Sequence, residues 1–168
     1  MLILSIPLFV TSNVSAYNLA PLLSENVYRY RNVDLESAHF YVMGYEERKQ
    51  MDEFISVGGK WEGKFVNEGV AFKAYRSEEG ICPGETISVY RFLNNIYGSA
   101  HFYVVGDDNK NIVINNSAPG GAWDGTFTFE GVSFCAYTEG DNVMRTSVHR
   151  FRNESLGGTV HFFLCNWR

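Results

Sequence analysis

Residues 89–104 read Val-Tyr-Arg-Phe-Leu-Asn-Asn-Ile-Tyr-Gly-Ser-Ala-His-Phe-Tyr-Val, and residues 27–42 carry the same pattern 62 positions earlier. Trp61 returns as Trp123 at the same spacing, and the Glu-Gly-Val block at 68–70 returns at 130–132. Self-similarity at one fixed period is the sequence signature of a repeat architecture. A partial third copy begins at Val148. We therefore read residues 17–168 as a single repeat domain, with copies at 27–88 and 89–147 and a partial copy at 148–168.

Each copy is expected to contain about four short strands and a short helix. The two quoted blocks predict two strands joined by a turn, residues 45–57 predict the helix, and further strands are expected around Trp61 and Trp123 and over 69–75 and 131–137. One copy cannot bury its apolar face alone. The expected fold is mainly β, with pseudo-symmetric copies packed in a trefoil-like or small propeller-like array. Either residues 2–10 supply a strand missing from the third copy, or the chain is a fragment.

Composition and charge narrow the classes of partner. The 168 residues are 45% hydrophobic and 20% charged, as in a folded globular protein, and the net charge is −5. Without a run of Lys or Arg, the chain lacks the basic surface that nucleic acids or anionic lipids attract. No Cys or His pair stands at metal-ligand spacing, so we expect neither a metal nor a cofactor.

The amino-terminal segment has two interpretations. Residues 2–10 are apolar and Val14-Ser15-Ala16 offers small residues, which together favour a secretory signal peptide over residues 1–16. The block is too short for a membrane span, so none is expected in the mature chain. No Lys or Arg precedes the block, which leaves open a buried strand or a chain clipped upstream. A secreted, extracellular location is the expectation.

Three cysteines, at 82, 135 and 165, allow one disulfide and one free thiol, or a partner elsewhere. Strand alternation puts Cys135 on the face opposite Phe134, which predicts that it lies outside the core. Our hypothesis is a disulfide between Cys135 and Cys165, which would join the third copy to the second.

A polar set recurs from copy to copy. It consists of Arg29, Arg91 and Arg150, of His39, His101 and His161, and of Glu68 and Glu130. A catalytic interpretation would use His and Glu as acid and base. An enzyme needs one asymmetric arrangement, however, whereas these groups return in the same place. We favour a structural role in which Arg pairs with Glu and His donates to a backbone carbonyl. We therefore predict no catalytic residue.

A binding interpretation rests on aromatic side chains. Trp61, Trp123, Tyr41 and Tyr103 are flat faces with a polar group, suited to stacking on sugar rings. Repeated copies would present the same face more than once and gain avidity. The alternative is that both Trp residues fill the core, since Trp is highly buried on average.

The recurring blocks resemble a family of repeated extracellular domains of unknown function, over residues 27 to about 163. Its copies read Val-Tyr-Arg-Phe-Tyr-Asn, then His-Phe-Tyr-Thr, then Trp-x-Tyr-Glu-Gly-Val-Ala-Phe-x-Ala-Tyr. The resemblance implies an accessory module, found alone or attached to secreted and cell-wall hydrolases. The expected function is therefore a secreted, non-catalytic module for cell-wall or surface glycan. The alternatives are an adhesion scaffold for a protein partner and a secreted hydrolase.

Overall fold

The structure is a computed structural model that describes residues 24–35, 38–138, 147–156 and 160–165. The predicted signal peptide over residues 1–16 lies outside the described residues. Copy one contains β1 (Glu25–Asn32), β2 (His39–Met43), α1 (Tyr45–Ile55) and β3 (Phe65–Ala74). Copy two contains β4 (Ile87–Asn94), β5 (Ala100–Val105), α2 (Gly106–Ser117) and β6 (Phe127–Ala136). The third copy contains β7 (Val148–Asn153), a 3-10 turn (Glu154–Leu156) and β8 (Val160–Cys165).

The strands form three separate antiparallel sheets, one for each copy. The strand orders are β2-β1-β3, β5-β4-β6 and β7-β8. The prediction of a mainly β fold is confirmed. Among the described strands no barrel closes.

The prediction of about four strands per copy is wrong, because the segments around Trp61 and Trp123 are turns. The backbone N–H of Trp61 donates to the Phe54 carbonyl at the end of α1 (2.7 Å). The N–H of Trp123 donates to the Asn116 carbonyl at the end of α2 (2.8 Å). These bonds satisfy carbonyls that a helix end leaves unpaired, so the chain folds back there instead of extending.

Three equivalent aromatic side chains mark the axis about which the copies pack. The rings of Tyr41, Tyr103 and Phe163 meet edge to face in a triangle, with centroids 5.5, 5.5 and 5.7 Å apart. These residues lie on β2, β5 and β8, which are therefore the innermost strands. A second equivalent set of Ala38, Ala100 and Val160 is also buried together. Burial of these shared layers stabilises the three sheets as one body.

Each helix covers the sheet of its own copy. Met51 is the buried residue of α1 and packs with Tyr30 and Phe40. Val113 is the buried residue of α2 and packs with Tyr90 and Phe92. Residues 112–114 of copy two are β-branched and have a weak helix propensity. They form a helix because burial of Val113 against this apolar surface outweighs that propensity.

The structure corrects the disulfide hypothesis, because Cys135 bonds to Cys82 and not to Cys165. The segment between β3 and β4 runs beside β6, where Tyr75 and Cys135 exchange two backbone hydrogen bonds of 3.0 and 2.7 Å. This segment pairs with the edge of β6 at Cys135, which is fully buried although alternation predicts that it lies outside the core. The bond therefore joins copy two to the segment that leads out of copy one.

Candidate functional site

The polar set of copy one gathers around Glu68. Its carboxylate lies 2.7 Å from Arg29 Nε, 3.3 Å from Arg31 Nε and 3.3 Å from His39 Nε2. The strand bulges at Gly69, whose φ of 86° is in the left-handed region that glycine tolerates. From this position Glu68 contacts Arg29 and Arg31 of the neighbouring β1 and reaches across β1 to His39 of β2.

Copy two repeats this arrangement and adds a contact to copy one. Glu130 Oε2 lies 2.9 Å from Arg91 Nε and 3.4 Å from His101 Nε2. Arg91 Nη1 also donates to Glu47 Oε1 of α1 at 2.8 Å. Glu47 in turn accepts a hydrogen bond from the Met43 backbone N–H at 3.1 Å. Arg91 is therefore shared between the carboxylates of two copies.

Glu47 was missed by sequence analysis because it does not recur. The matching position in copy two is Asn109, so a search restricted to repeated residues passes over it. Its signal in the sequence is its place in the first turn of a helix, where a carboxylate is favoured by the free N–H groups.

Charge and burial set the protonation state of the pair in copy two. Burial lowers the pKa of His101 by more than the neighbouring Glu130 carboxylate raises it. Burial acts to raise the pKa of Glu130, but the hydrogen bond with His101 and the charge of Arg91 outweigh it and leave that pKa below its ordinary value. At neutral pH the pair is thus a neutral imidazole and a carboxylate. A general acid or base works best with a pKa near the working pH, and neither group is tuned in that direction.

The predicted backbone partner of the histidine is wrong in copy two, where Nε2 of His101 faces Glu130. Its Nδ1 is buried without a hydrogen-bond partner among the described residues. The tautomer that fits carries its proton on Nε2 and donates it to the carboxylate.

The Arg and His of each later copy also contact a Phe of the copy before. The His101 ring lies 4.4 Å from the Phe40 ring, and the Arg91 guanidinium lies 4.9 Å above it. In the same way, His161 and Arg150 lie 4.8 and 5.9 Å from the ring of Phe102. We call these two contacts the inter-copy interfaces. The recurring polar set lies at these interfaces and inside each sheet.

Tyr41 and Tyr103 are fully buried, so the expectation that they stack on a ligand is wrong. The Tyr103 hydroxyl accepts the backbone N–H of Tyr41 at 3.0 Å. The Tyr41 hydroxyl accepts the N–H of Phe163 at 2.8 Å and donates to its carbonyl at 3.0 Å. Burial raises the pKa of Tyr41 to about 12. The Tyr103 phenol therefore links the inner strands of copies two and one, and the Tyr41 phenol links those of copies one and three.

Trp61 and Trp123 remain as aromatic groups that solvent reaches. Trp61 is half-buried and packs against Phe54 and Phe65, with ring centroids 4.8 and 5.8 Å away. Trp123 is 39% exposed, and its ring meets that of Phe127 at 6.0 Å. The expectation that both Trp residues fill the core fits neither, because each has one packed side and one open side.

No metal site is evident in the described part of the chain, since no three His, Cys, Asp or Glu side chains converge there. No described helix is long and apolar enough to cross a membrane. A shallow, open depression lies beside α1 and is lined by Glu25, Tyr45, Glu47 and Arg76, among others.

Comparison with protein-family models gives two overlapping matches to the domain of unknown function DUF5648, over residues 9–125 and 60–168. The chain belongs to the DUF5648 family. The paired matches agree with the duplicated sheets, because a chain made of copies fits the same model in more than one register. No curated protein and no solved structure matches the chain significantly.

Proposed function

We propose that this DUF5648 chain is a secreted, non-catalytic binding or attachment module that recognises cell-wall or surface glycan through Trp61 and Trp123. The observation that carries the proposal is their equivalent placement. Each Trp stands in the turn that ends the helix of its copy, and a backbone hydrogen bond to that helix fixes the turn. A fixed aromatic face with one side in solvent suits stacking on the apolar face of a sugar ring.

Duplication of the Trp turn adds to the case. The two copies pack together through shared buried residues, so two weak sites can act on one polymer at a high effective concentration. Such avidity is useful on a glycan, which itself repeats. The remaining recurring groups are engaged in ion pairs and inter-copy contacts, which favours a binding surface over a catalytic one.

The disulfide supports the proposed location. Bonds of this kind persist in oxidising compartments and are rare in the cytosol. Cys82 and Cys135 are placed for such a bond, with Cα atoms 5.6 Å apart. The disulfide therefore favours an exported protein. This argument for export does not depend on residues 1–16.

Retention on insoluble polysaccharides and peptidoglycan, together with a glycan array, tests the proposal. For the glycan that the chain binds, we expect Trp61→Ala and Trp123→Ala each to weaken retention about fivefold, since a stacking contact contributes on the order of 1 kcal/mol. The double variant should lose binding. Tyr45→Ala is the matched control, because Tyr45 is also aromatic, is 69% exposed and lies outside the Trp turns. Full retention by the double variant would refute the proposal.

A protein partner is the second candidate, and the outer strands favour it. Among the described strands, β3 pairs only with β1, and β6 pairs with β4 and, at Cys135 alone, with the segment at Tyr75. Val66, Val70 and Phe129 on these strands are exposed. An extended peptide could add to such an edge through backbone hydrogen bonds. A folded chain that binds no glycan, but whose β3 and β6 amides gain protection from exchange with a protein ligand, would favour this candidate.

A further inference from the structure

The two Trp turns, residues 58–64 and 120–126, carry opposite charges although their backbones are equivalent. In both, the N–H of the last residue donates to the Trp carbonyl, at 3.0 Å in copy one and 2.8 Å in copy two. Two lysines and one glutamate give the first turn a formal charge of +1, whereas one aspartate gives the second a charge of −1. The first turn is thus basic in a chain whose net charge is −5.

The acidic residue of each turn is held by the backbone. Glu62 Oε2 accepts the N–H of Gly58 at 2.8 Å, and Asp124 Oδ2 accepts the N–H of Gly120 at 3.0 Å. These bonds close the two turns in the same way, so the two carboxylates have the same structural role. The difference in charge between the turns therefore comes from the lysines.

Copy one has lysines at positions where copy two has neutral residues. Lys60 and Lys64 correspond to Ala122 and Thr126. Both lysines are exposed, and neither is in an ion pair with a described residue. Their positive charges are therefore open to an anion from solution, and the close similarity of the second turn shows that the turn itself does not require them.

The ammonium group of Lys60 lies beside the aromatic surface that is proposed to hold a sugar. Its Nζ is 5.4 Å from the centre of the Trp61 ring and 5.8 Å from that of Phe54. Attraction between a cation and the faces of aromatic rings keeps the ammonium next to Trp61 without neutralising its charge. A sugar ring stacked on Trp61 would bring its substituents close to this positive charge.

The surroundings of Trp123 are different. Asn116 takes the place of Phe54, and its side chain bonds to a carbonyl of its own helix at 2.8 Å. Ala122 takes the place of Lys60, so no described cation lies over the Trp123 ring. An anionic sugar would gain no ion pair from this turn.

We propose that the Trp61 turn binds an anionic sugar residue, one that carries a carboxylate or a phosphate group, and that the Trp123 turn binds a neutral one. Trp61 supplies the stacking face, and Lys60 and Lys64 pair with the anion. This inference rests on the proposed glycan-binding function and adds the class of sugar to it. A polymer that contains both charged and neutral sugars can then engage both turns.

Titration calorimetry with paired probes tests the inference. Oligogalacturonate and its methyl ester differ by a carboxylate charge, and phosphomannan and the same mannan after dephosphorylation differ by a phosphate. In a chain with Trp123→Ala, which retains the Trp61 turn, we expect at least one charged probe to bind about fivefold more tightly than its neutral partner, as two exposed ion pairs would give. Added salt should weaken this preference. The pair of probes that shows it identifies the anion.

Exchange of the lysines between the turns supplies the matched variants. Lys60→Ala with Lys64→Thr reproduces the residues of copy two and should abolish the preference, and these residues are exposed, so the fold should be kept. Ala122→Lys with Thr126→Lys, in a chain with Trp61→Ala, should confer the preference on the Trp123 turn. A chain with Trp61→Ala alone should lack it.

Lys73→Ala is the control for net charge, because Lys73 is exposed on β3 and lies outside the Trp turns. It should leave the preference unchanged, and a loss equal to that of the Lys60 and Lys64 exchange would overturn the inference. Equal binding of charged and neutral probes, or binding of none of the four, would also overturn it. In either case, retention on another glycan that still depends on Trp61 and Trp123 would leave the proposed function standing.

Discussion

At the scale of single residues, the phenols of Tyr41 and Tyr103 decide how the copies are joined. Each hydroxyl bonds the backbone of the equivalent residue in another copy, and Phe163 ends this series because it has no hydroxyl. The sequence shows that the two Tyr residues recur, but recurrence fits a ligand site and a core equally well. Whether the two Tyr residues form a ligand site or a core depends on how the copies pack together. A local sequence pattern does not predict that packing.

Tyr103→Phe tests this account of the phenols. The variant leaves the backbone N–H of Tyr41 buried without its acceptor, so we expect the free energy of unfolding to fall by about 1–3 kcal/mol. Urea denaturation monitored by circular dichroism measures the change. Tyr45→Phe is the control and should leave stability within about 0.5 kcal/mol, because Tyr45 is exposed. An equal effect of the two substitutions would contradict the account.

At the scale of elements, the turn after each helix is the feature that sequence analysis misjudged. The helix predicted over residues 45–57 is present as α1, but the strand predicted around Trp61 is not. In the structure, Gly59 allows the chain to turn back against the end of α1. A Cβ on Gly59 or Gly121 would lie 2.4 or 2.3 Å from a carbonyl oxygen of the helix end. This close approach is a tertiary contact between the turn and the helix end, and strand and helix propensities do not describe such contacts.

Gly121→Ala should therefore be costly. The new methyl group meets backbone atoms of Asn116, which cannot yield without opening the helix end. We expect a loss of at least about 2 kcal/mol, within the range of severe steric effects. Gly120→Ala is the neighbouring control: its φ is positive but its Cβ site is open, so a loss of about 1 kcal/mol is expected. Thermal unfolding of both variants measures these losses of stability. A smaller loss for Gly121→Ala than for Gly120→Ala would contradict this turn geometry.

At the scale of the whole molecule, the spacing of 62 in the sequence correctly predicts repeated units and a mainly β fold. The disulfide could not be predicted in the same way, because Cys82 lies in a connecting segment that has no counterpart pattern. Alternation within β6 describes the strand alone and ignores the segment that pairs with its edge at Cys135. The bond to Cys135 fixes that segment and thereby the path from copy one to copy two.

Removal of this bond should weaken the whole domain. The two cysteines are 53 residues apart, and chain entropy alone gives a contribution of about 4 kcal/mol for such a loop. We expect the paired substitution Cys82→Ser with Cys135→Ser to lower the free energy of unfolding by about 2–5 kcal/mol in urea titrations. Cys165→Ser is the control and should unfold at the same urea concentration as the parent. If the control were as damaging as the pair, the assignment of the disulfide would be wrong.

The central claim is that the recurring Arg and His serve packing between copies. A double-mutant cycle with Phe40→Leu and His101→Gln, measured as free energies of unfolding, tests it most directly. We predict a coupling energy of about 1 kcal/mol between the two side chains, because their rings are in contact across the interface between copies one and two. Simple additivity of the two substitutions would contradict the claim.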